Sequence, residues 1–126
     1  MSPQELKDRT KSFAVRIMKL TDALSGSVGA TVIGKQIVRS GTSVAANYRS
    51  ALRARSKPEF ISKLNVVIEE CDETLFWLEL IIDSGLIKRT KIENLYQEAN
   101  ELLSIFCATQ KTTKIRNQKS EIRNRK

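Results

Sequence analysis

The sequence predicts an all-α protein: an antiparallel up-down-up-down four-helix bundle followed by a basic, disordered C-terminal tail. Glycine and proline are scarce, with five and two residues in a chain of 126. Apolar residues recur at steps of three and four in four successive segments, which is the period of a helix with one buried face. Because the links between these segments are short, neighbouring helices should run antiparallel. We expect one bundle domain over residues 1–113 and a tail over residues 114–126.

The first helix is predicted over residues 3–24. Ser2 to Glu5 form a capping box, in which the serine caps the helix, proline occupies its first turn and glutamate reaches back to the cap. One face then carries apolar residues at helical spacing, namely Phe13, Ile17, Leu20 and Leu24. The sequence Ser-Gly-Ser at residues 25–27 is typical of a helix end.

The second helix is predicted from Val28 to about Arg55. Its apolar residues keep a similar period, at Ile33, Ile37, Val44, Tyr48, Ala51 and Leu52. Small residues such as Gly41 lie between them and should let a neighbouring helix approach closely. Asn47 also lies among small residues, where we expect a buried amide that fixes helix register rather than a ligand contact.

The segment from Gly29 to Gln36 has the outline of a phosphate-binding P-loop. That motif needs a serine or threonine after its lysine to hold magnesium, and a buried strand before it. Here Gln36 follows Lys35, and a helix end precedes the segment. We therefore interpret this segment as the start of the second helix.

The third helix is predicted over residues 57–84, after a second capping box at Ser56 to Glu59. Its apolar stripe steps by three and four through Phe60, Leu64, Val67, Cys71, Leu75, Leu78 and Ile82. The last two turns are apolar in nearly every direction, although a helix of a monomeric bundle would have a polar face there. We expect a second subunit to cover this end, with Phe76, Trp77 and Leu80 in the interface.

The fourth helix is predicted from a capping box at Thr90 to Glu93 up to about residue 113. Its buried side should consist of Ile92, Leu95, Tyr96, Ala99, Leu102, Leu103 and Phe106. Beyond residue 113 the apolar period stops, and residues 115–126 contain a near-repeat with almost no core-forming content. We therefore expect a solvated tail, in which some helix could form on a polyanion.

The formal net charge of +8 is unevenly placed. Residues 108–126 hold seven Lys and Arg against one Glu, whereas residues 1–107 hold 15 Lys and Arg against 13 Asp and Glu. The predicted topology brings three segments to one end of the bundle: the start of the first helix, the turn between the second and third helices, and the end of the fourth helix. One pole of the bundle should therefore be strongly positive.

This positive pole is the predicted contact site for nucleic acid. Arginine binds phosphate through a planar fork, and a flexible basic tail at the same pole adds charge. Aromatic residues do not interleave with these cations, so contact should be with phosphates rather than with bases. The candidate residues are Arg49, Arg53, Arg55 and Lys57 near the turn, Lys7, Arg9 and Lys11 in the first helix, and Lys111 and Lys114 in the fourth.

Enzymatic and metal-binding functions have little support in the sequence. The chain has no histidine, which removes the commonest general base and the commonest metal ligand. We identify no catalytic residue, cofactor site or metal site. Among the acidic residues of the third helix, Glu70 and Glu73 should serve a structural role. These acids should either form a solvated face or pair with Arg39 and Arg49.

Cysteine usage and hydropathy bear on the compartment. Cys71 and Cys107 both lie in apolar helical contexts, which indicates two reduced core thiols rather than a disulfide. No apolar run approaches the length of a membrane span, and the first 25 residues lack the apolar centre of a signal peptide. We expect a cytoplasmic protein without membrane contact.

The second and third helices resemble a known family. The resemblance rests on residues Ile37–Arg49, Arg53–Leu64 and Glu69–Leu80, and it extends over about residues 10–105. These segments are similar to the bacterial four-helix-bundle proteins first noticed as open reading frames in 23S ribosomal RNA intervening sequences. The resemblance implies a ring-like homopentamer. It also implies kinship with the accessory variability determinant of diversity-generating retroelements, a basic pentamer that binds nucleic acid and a reverse transcriptase.

Two functions of different classes remain open from the sequence. The first is a non-enzymatic, oligomeric bundle that binds RNA or DNA at its basic pole. The second is a protein-interaction scaffold whose pole binds an acidic partner or one that handles nucleic acid, such as a reverse transcriptase. Retention of nucleic acid by the purified protein at low salt distinguishes the two.

Overall fold

The computed structural model describes residues 1–124 and consists of four α-helices joined by short links. The helices are α1 (Pro3–Leu20), α2 (Val28–Ala51), α3 (Lys57–Asp83) and α4 (Arg89–Asn124), and a 3-10 turn at Thr21–Ala23 follows α1. The predicted all-α, four-helix architecture is confirmed.

Serine side chains cap the first three helices. The hydroxyl oxygen of Ser2 accepts a hydrogen bond from the backbone N–H of Glu5 at 3.1 Å, and Ser56 accepts from Glu59 at 3.2 Å. Ser27 caps α2 in the same way, by accepting from the backbone N–H of Ala30. Each bond satisfies a donor that has no partner within the helix, which is why the chain begins helices at these serines.

Three predicted helix boundaries next to the links between helices differ from the structure. Helix α1 ends four residues early because the chain tightens into the 3-10 turn. Helix α2 ends at Ala51, not Arg55, because the N–H groups of Arg53 and Ala54 bond to carbonyls three residues back and close the last turn. Helix α4 begins at Arg89, so Thr90 lies inside the helix and is not its N-cap.

Contacts between the helices show that neighbours run antiparallel. A cleft brings Gln4 of α1 together with Arg49 near the end of α2. The amide of Gln110 donates to Asn65 in the third turn of α3, and the hydroxyl of Tyr96 in the first part of α4 donates to Glu79. The bundle therefore has the predicted up-down-up-down order, with its amino terminus and its α2–α3 turn at the same end.

The core lies along the axis of the bundle and is built from the predicted helix stripes. Fully enclosed side chains come from every helix, and the rings of Tyr48 and Phe106 pack 5.6 Å apart. Two of the buried hydroxyl groups face each other between α2 and α3: the oxygens of Ser40 and Thr74 are 2.9 Å apart. Both hydroxyls also bond to carbonyls of their own helices, so their burial leaves no polar group unpaired.

Helix α4 continues far beyond its predicted end at residue 113. Residues 114–124 are helical, so the prediction of a disordered tail is wrong for them, while residues 125–126 lie outside the described chain. No glycine or proline occurs after Gly85, and Lys, Arg, Gln and Glu are good helix formers. Asn117 also donates to Glu121 one turn later at 3.4 Å. None of the described residues after Phe106 is buried, so this part of α4 lacks core packing.

The two cysteines differ in burial. Cys71 is buried, and its thiol lies 3.5 Å from the carbonyl oxygen of Ala99, but Cys107 is exposed and is not the predicted core thiol. It lies one position beyond Phe106, which turns its side chain away from the core.

Gly29 and Gly34 both lie within α2, as expected for a helix start rather than a P-loop. No helix in residues 1–124 combines the length and apolarity needed to cross a bilayer.

Helices α1 and α2 approach each other closely at Gly41. A Cβ atom placed there would lie 2.9 Å from Cγ2 of Ile17, whose side chain is fully buried. Gly34, on the same helix, would place a Cβ atom 3.6 Å from Leu24, which is an ordinary contact. Only Gly41 is therefore required by packing.

We predict that Gly41→Ala destabilises the fold by about 1–2 kcal/mol, because displacement of a core side chain outweighs the gain in helix propensity. Gly34→Ala is the matched control and should stabilise the fold by about 0.5–1 kcal/mol. Urea denaturation followed by circular dichroism measures both. Equal stabilisation by the two substitutions would show that α1 and α2 are not tightly packed at Gly41.

Candidate nucleic-acid interface

The antiparallel order brings three basic segments to one end of the bundle. We call this end the basic pole, and its segments are the first half of α1, the α2–α3 turn and the last part of α4. The structure places the predicted contact residues there: Lys7, Arg9, Lys11, Arg49, Arg53, Arg55, Lys57, Lys111 and Lys114.

A cleft of about 440 Å³ runs between α1 and α2 at the basic pole. Its cationic side chains are Lys7, Lys11 and Arg49, whereas Asp8 is its one acidic lining residue. The remaining lining residues are small or polar, namely Gln4, Thr42, Ala45 and Ala46. Because alanine side chains are short, an anion could approach the backbone of α2 while the cations flank it.

The α2–α3 turn is the second part of the basic pole. Arg53, Arg55 and Lys57 are exposed, and within residues 1–124 none of the three takes part in an ion pair. The backbone N–H of Arg55 donates to the carboxylate of Glu59 at 3.1 Å, which orders the turn. Glu59 also lies 3.5 Å from Lys63, so part of its charge is neutralised within α3.

The last part of α4 extends the basic pole. Gln110 lies beside Asn65, eight residues after the start of α3, so α4 reaches the level of that start near residue 118. The helix then continues for roughly 9 Å, at about 1.5 Å per residue. We define the α4 extension as residues 111–124. Its cations are Lys111, Lys114, Arg116, Lys119 and Arg123.

Arg9 differs from the other predicted contact residues. Its guanidinium donates to both carboxylate oxygens of Glu98, at 2.8 and 2.6 Å, and lies 3.0 Å from Glu101. Hydrogen bonding by Arg9 lowers the pKa of the Glu98 carboxyl below its ordinary value. Arg9 therefore joins α1 to α4, and its charge is already balanced. Its prediction as a phosphate contact has no support in this geometry.

We predict that Arg9→Gln destabilises the protein by about 1–2 kcal/mol at neutral pH. This is the free energy that charge-assisted hydrogen bonds typically contribute to folding when they are only partly exposed. Because the folded carboxyl has the lower pKa, the unfolded chain binds its proton first as the pH falls. The stabilisation of the fold by the Arg9–Glu98 pair is therefore complete above the ordinary carboxyl pKa of 4.5, and it is lost as the pH falls through the lower pKa of the folded state.

Urea denaturation of the two proteins between pH 3 and 7 measures this difference in stability. Lys11→Gln serves as the control, since this neighbouring cation is exposed and should change stability little at any pH. A stability difference for Arg9→Gln that persisted unchanged at acid pH would show that Glu98 is not its partner.

The predicted structural residues lie on the side of the bundle where α2 meets α3. Arg39 donates to Glu70 at 3.1 Å and also pairs with Glu73. Hydrogen bonding by Arg39 lowers the pKa of Glu73. The half-buried amide of Asn47 donates to the carbonyl of Ser43 at 2.8 Å, a bond within α2 rather than between helices. Arg49 takes part in no ion pair among residues 1–124 and instead lines the cleft.

The predicted interface residues differ in exposure. Phe76 is 52% exposed, and its ring packs edge-on against that of Trp77 with centroids 5.0 Å apart. Trp77 and Leu80 are half-buried against the core. The indole N–H of Trp77 is enclosed, so a second subunit cannot reach it, and its interaction with the Glu73 carboxylate adds to the effect of Arg39 in lowering the pKa of that acid. The exposed ring of Phe76 is the apolar surface of this region that is open to further contacts.

The geometry offers no support for metal binding in residues 1–124. In that part of the chain, no three Cys, Asp or Glu side chains are grouped so as to hold a metal ion. The acidic residues of α3 are spread along its surface or pair with Arg39. What the basic pole can do chemically is bind anions.

Sequence reasoning missed part of the basic pole. Arg116, Lys119 and Arg123 lie on an ordered helix, although their segment was predicted to be disordered. The absence of any helix stop after Gly85 could have revealed this. The α1–α2 cleft could not be found from one sequence, because residues about 40 positions apart form its walls.

Comparisons with known proteins agree with this architecture. A solved structure from Bacteroides thetaiotaomicron, a protein of unknown function from the S23 ribosomal protein family, superposes with a TM-score of 0.78 and is 40% identical. The match covers 84% of this chain and 98% of that one. No curated protein matches the chain. The model of the family described as 23S rRNA-intervening sequence protein matches residues 4–108, which leaves the α4 extension outside it. The chain belongs to the 23S rRNA-intervening sequence protein family.

Proposed function

We propose that this protein is a non-enzymatic, self-associating bundle that binds nucleic acid through phosphate contacts at its basic pole. The observation that carries the proposal is the convergence of three basic segments at one end of the bundle. Family membership is consistent with an RNA-related role.

The balance of charge at the basic pole supports this proposal. Exposed cations occupy the α1–α2 cleft, the α2–α3 turn and the α4 extension, whereas Glu5, Asp8, Glu59 and Glu121 are the acidic residues of these segments. A continuous cationic surface attracts a polyanion and gains affinity by releasing its counterions. The arginines Arg49, Arg53 and Arg55 can each bind a phosphate through two parallel hydrogen bonds.

The kind of contact follows from what accompanies these cations. Tyr48 is buried and Phe60 is half-buried, so neither presents an open ring on which a base could stack. Binding through phosphates alone is largely independent of sequence. We therefore propose that the protein recognises the charge and spacing of the backbone in RNA or DNA.

Self-association would strengthen this binding. A single pole offers few phosphate contacts, but several poles on one assembly bind the same strand with a high effective concentration. Phe76, Trp77 and Leu80 remain our proposed interface, because an exposed phenyl ring beside two half-buried apolar side chains favours a further contact. A ring-like pentamer is the assembly that the family resemblance implies.

We predict that replacing Arg53, Arg55 and Lys57 with alanine weakens nucleic-acid binding without unfolding the protein, because all three side chains are exposed. On duplex DNA, the slope of log affinity against log salt should flatten by about 0.9 for each phosphate that the variant no longer binds. Fluorescence anisotropy with labelled RNA and DNA over a range of salt concentrations measures the slope.

The control carries alanine at Lys35, Lys88 and Lys91, which lie outside the basic pole. Lys88 and Lys91 line a cleft with Ala23 and Gly85 at the opposite end of the bundle. This variant has the same net charge as the first, so it should keep the wild-type slope. Equal weakening in both variants would mean that total charge, rather than the basic pole, determines binding.

We predict that Phe76→Ser lowers the mass of the protein in solution, because it removes an apolar contact from the proposed interface. Trp77→Ala and Leu80→Ala should act in the same direction, at a further cost of about 2–5 kcal/mol in fold stability. Light scattering coupled to size-exclusion chromatography measures the mass. Val28→Ser is the control, since Val28 is 83% exposed at the start of α2. An unchanged mass in all three α3 variants would place the contact elsewhere.

A protein partner is the second candidate function. Leu52 is 36% exposed beside Arg53, and an apolar residue among cations suits an acidic protein surface better than a phosphate backbone. A reverse transcriptase is the kind of partner that the family resemblance implies. Failure of the purified protein to retain RNA or DNA at low salt would favour this scaffold function.

A further inference from the structure

We propose that the α4 extension of one copy of this chain docks on the acidic face of α3 in a second copy. The acidic face consists of the exposed Phe76 and four carboxylates around it, Glu69, Asp72, Glu79 and Asp83. The inference rests on the proposed self-association and identifies which surface of the second copy covers Phe76.

The acidic face needs a partner of opposite charge. At 3.6 residues per turn, its four carboxylates lie within about 60° of Phe76 around the helix. Two copies of this face would repel each other, so the face cannot pair with itself across a two-fold axis. Arg89 lies near one end of the face, where it is held 2.9 Å from Glu93. A basic surface with some apolar area is therefore the complementary partner.

The α4 extension has that chemistry. Ile115 and Ile122 are 43% and 60% exposed, and a separation of seven residues places them on one side of the helix. Lys111 and Lys119 lie on the same side, within about 60° of both isoleucines, and Arg123 flanks the stripe at about 80–100°. Within residues 1–124, no ion pair joins the extension to another helix. The extension is thus a basic helix with an apolar stripe and no ion-pair partner on the other helices of its own chain.

The lengths of the two surfaces agree. Glu69 to Asp83 spans about 21 Å of helix and Lys111 to Asn124 about 20 Å, at about 1.5 Å per residue. The extension cannot reach this face in its own chain, because Gln110 already lies beside Asn65 and α4 then continues away from Glu69. Docking must therefore join different copies. Each copy places its α4 extension on the acidic face of one neighbour and receives the extension of another neighbour on its own acidic face. This is a head-to-tail contact that can close into a ring.

Cross-linking between two differently labelled copies tests this contact. One copy carries Glu79→Cys and the other carries Gln118→Cys, so that Phe76 and both isoleucines stay in place; both copies carry Cys107→Ser, because native Cys107 is exposed. The copies are mixed without nucleic acid and treated with a short bismaleimide, and light scattering gives the mass of the same samples. We expect several-fold more mixed dimer than when Val28→Cys replaces Glu79→Cys, although Val28 is 83% exposed.

Charge reversal tests the specificity of the contact. Glu69→Lys with Asp72→Lys, or Lys119→Glu with Arg123→Glu, should each reduce the cross-linked product to the level of the Val28→Cys control. A copy with reversed carboxylates, cross-linked to a copy with a reversed extension, should recover the product. Recovery supports the docking, since a structural defect in either variant would persist in the mixture.

The remaining outcomes overturn the proposal in distinguishable ways. A self-associated protein without excess cross-linking, or without recovery on charge exchange, shows that another surface covers Phe76 and leaves the proposed assembly standing. A monomeric mass in every sample would contradict both the self-association and this contact. Neither result decides whether Arg53, Arg55 and Lys57 contact phosphates, which the salt dependence of binding measures separately.

Discussion

The antiparallel alternation of the four helices is the constraint on which the rest of this structure depends. The links at residues 52–56 and 84–88 are too short to carry the chain back along the bundle, so each helix starts where the previous one ended. That alternation alone brings Lys7, Arg53 and Lys111 to one end, although they lie far apart in sequence. The charge distribution along the chain is thus converted by topology into a charged surface.

Features encoded locally could be predicted from the sequence, whereas features that depend on distant contacts could not. The serine caps at Ser2 and Ser56 depend on residues three positions away, and their predictions agree with the structure. The ion pair between Arg9 and Glu98 joins residues 89 positions apart, which no local pattern indicates. The α4 extension was missed for another reason: it is helical without burying a stripe, so apolar periodicity carries no information about it.

The acidic face and the basic pole occupy different parts of this bundle. The outer side of α3 carries Glu69, Asp72, Glu79 and Asp83, while the basic pole lies beyond the other end of that helix. Such segregation gives one small domain two surfaces with different preferences, one for polyanions and one for cationic helices. The α4 extension contributes cations that either kind of contact could use. The proposed assembly and the proposed nucleic-acid binding would therefore draw on cations of the same helix.

The buried hydroxyl groups of Ser40 and Thr74 have a consequence for how the α2–α3 turn can vary. Sliding α3 by one helical turn, about 5.4 Å, would place the Thr74 hydroxyl against apolar side chains of α2 and separate Arg39 from its two carboxylates. The position of α3 along α2 is thus fixed by contacts at the middle of both helices and not by the turn that connects them. Insertions or deletions between residues 52 and 56 should consequently be tolerated by the fold, which leaves this turn open to diversification among relatives.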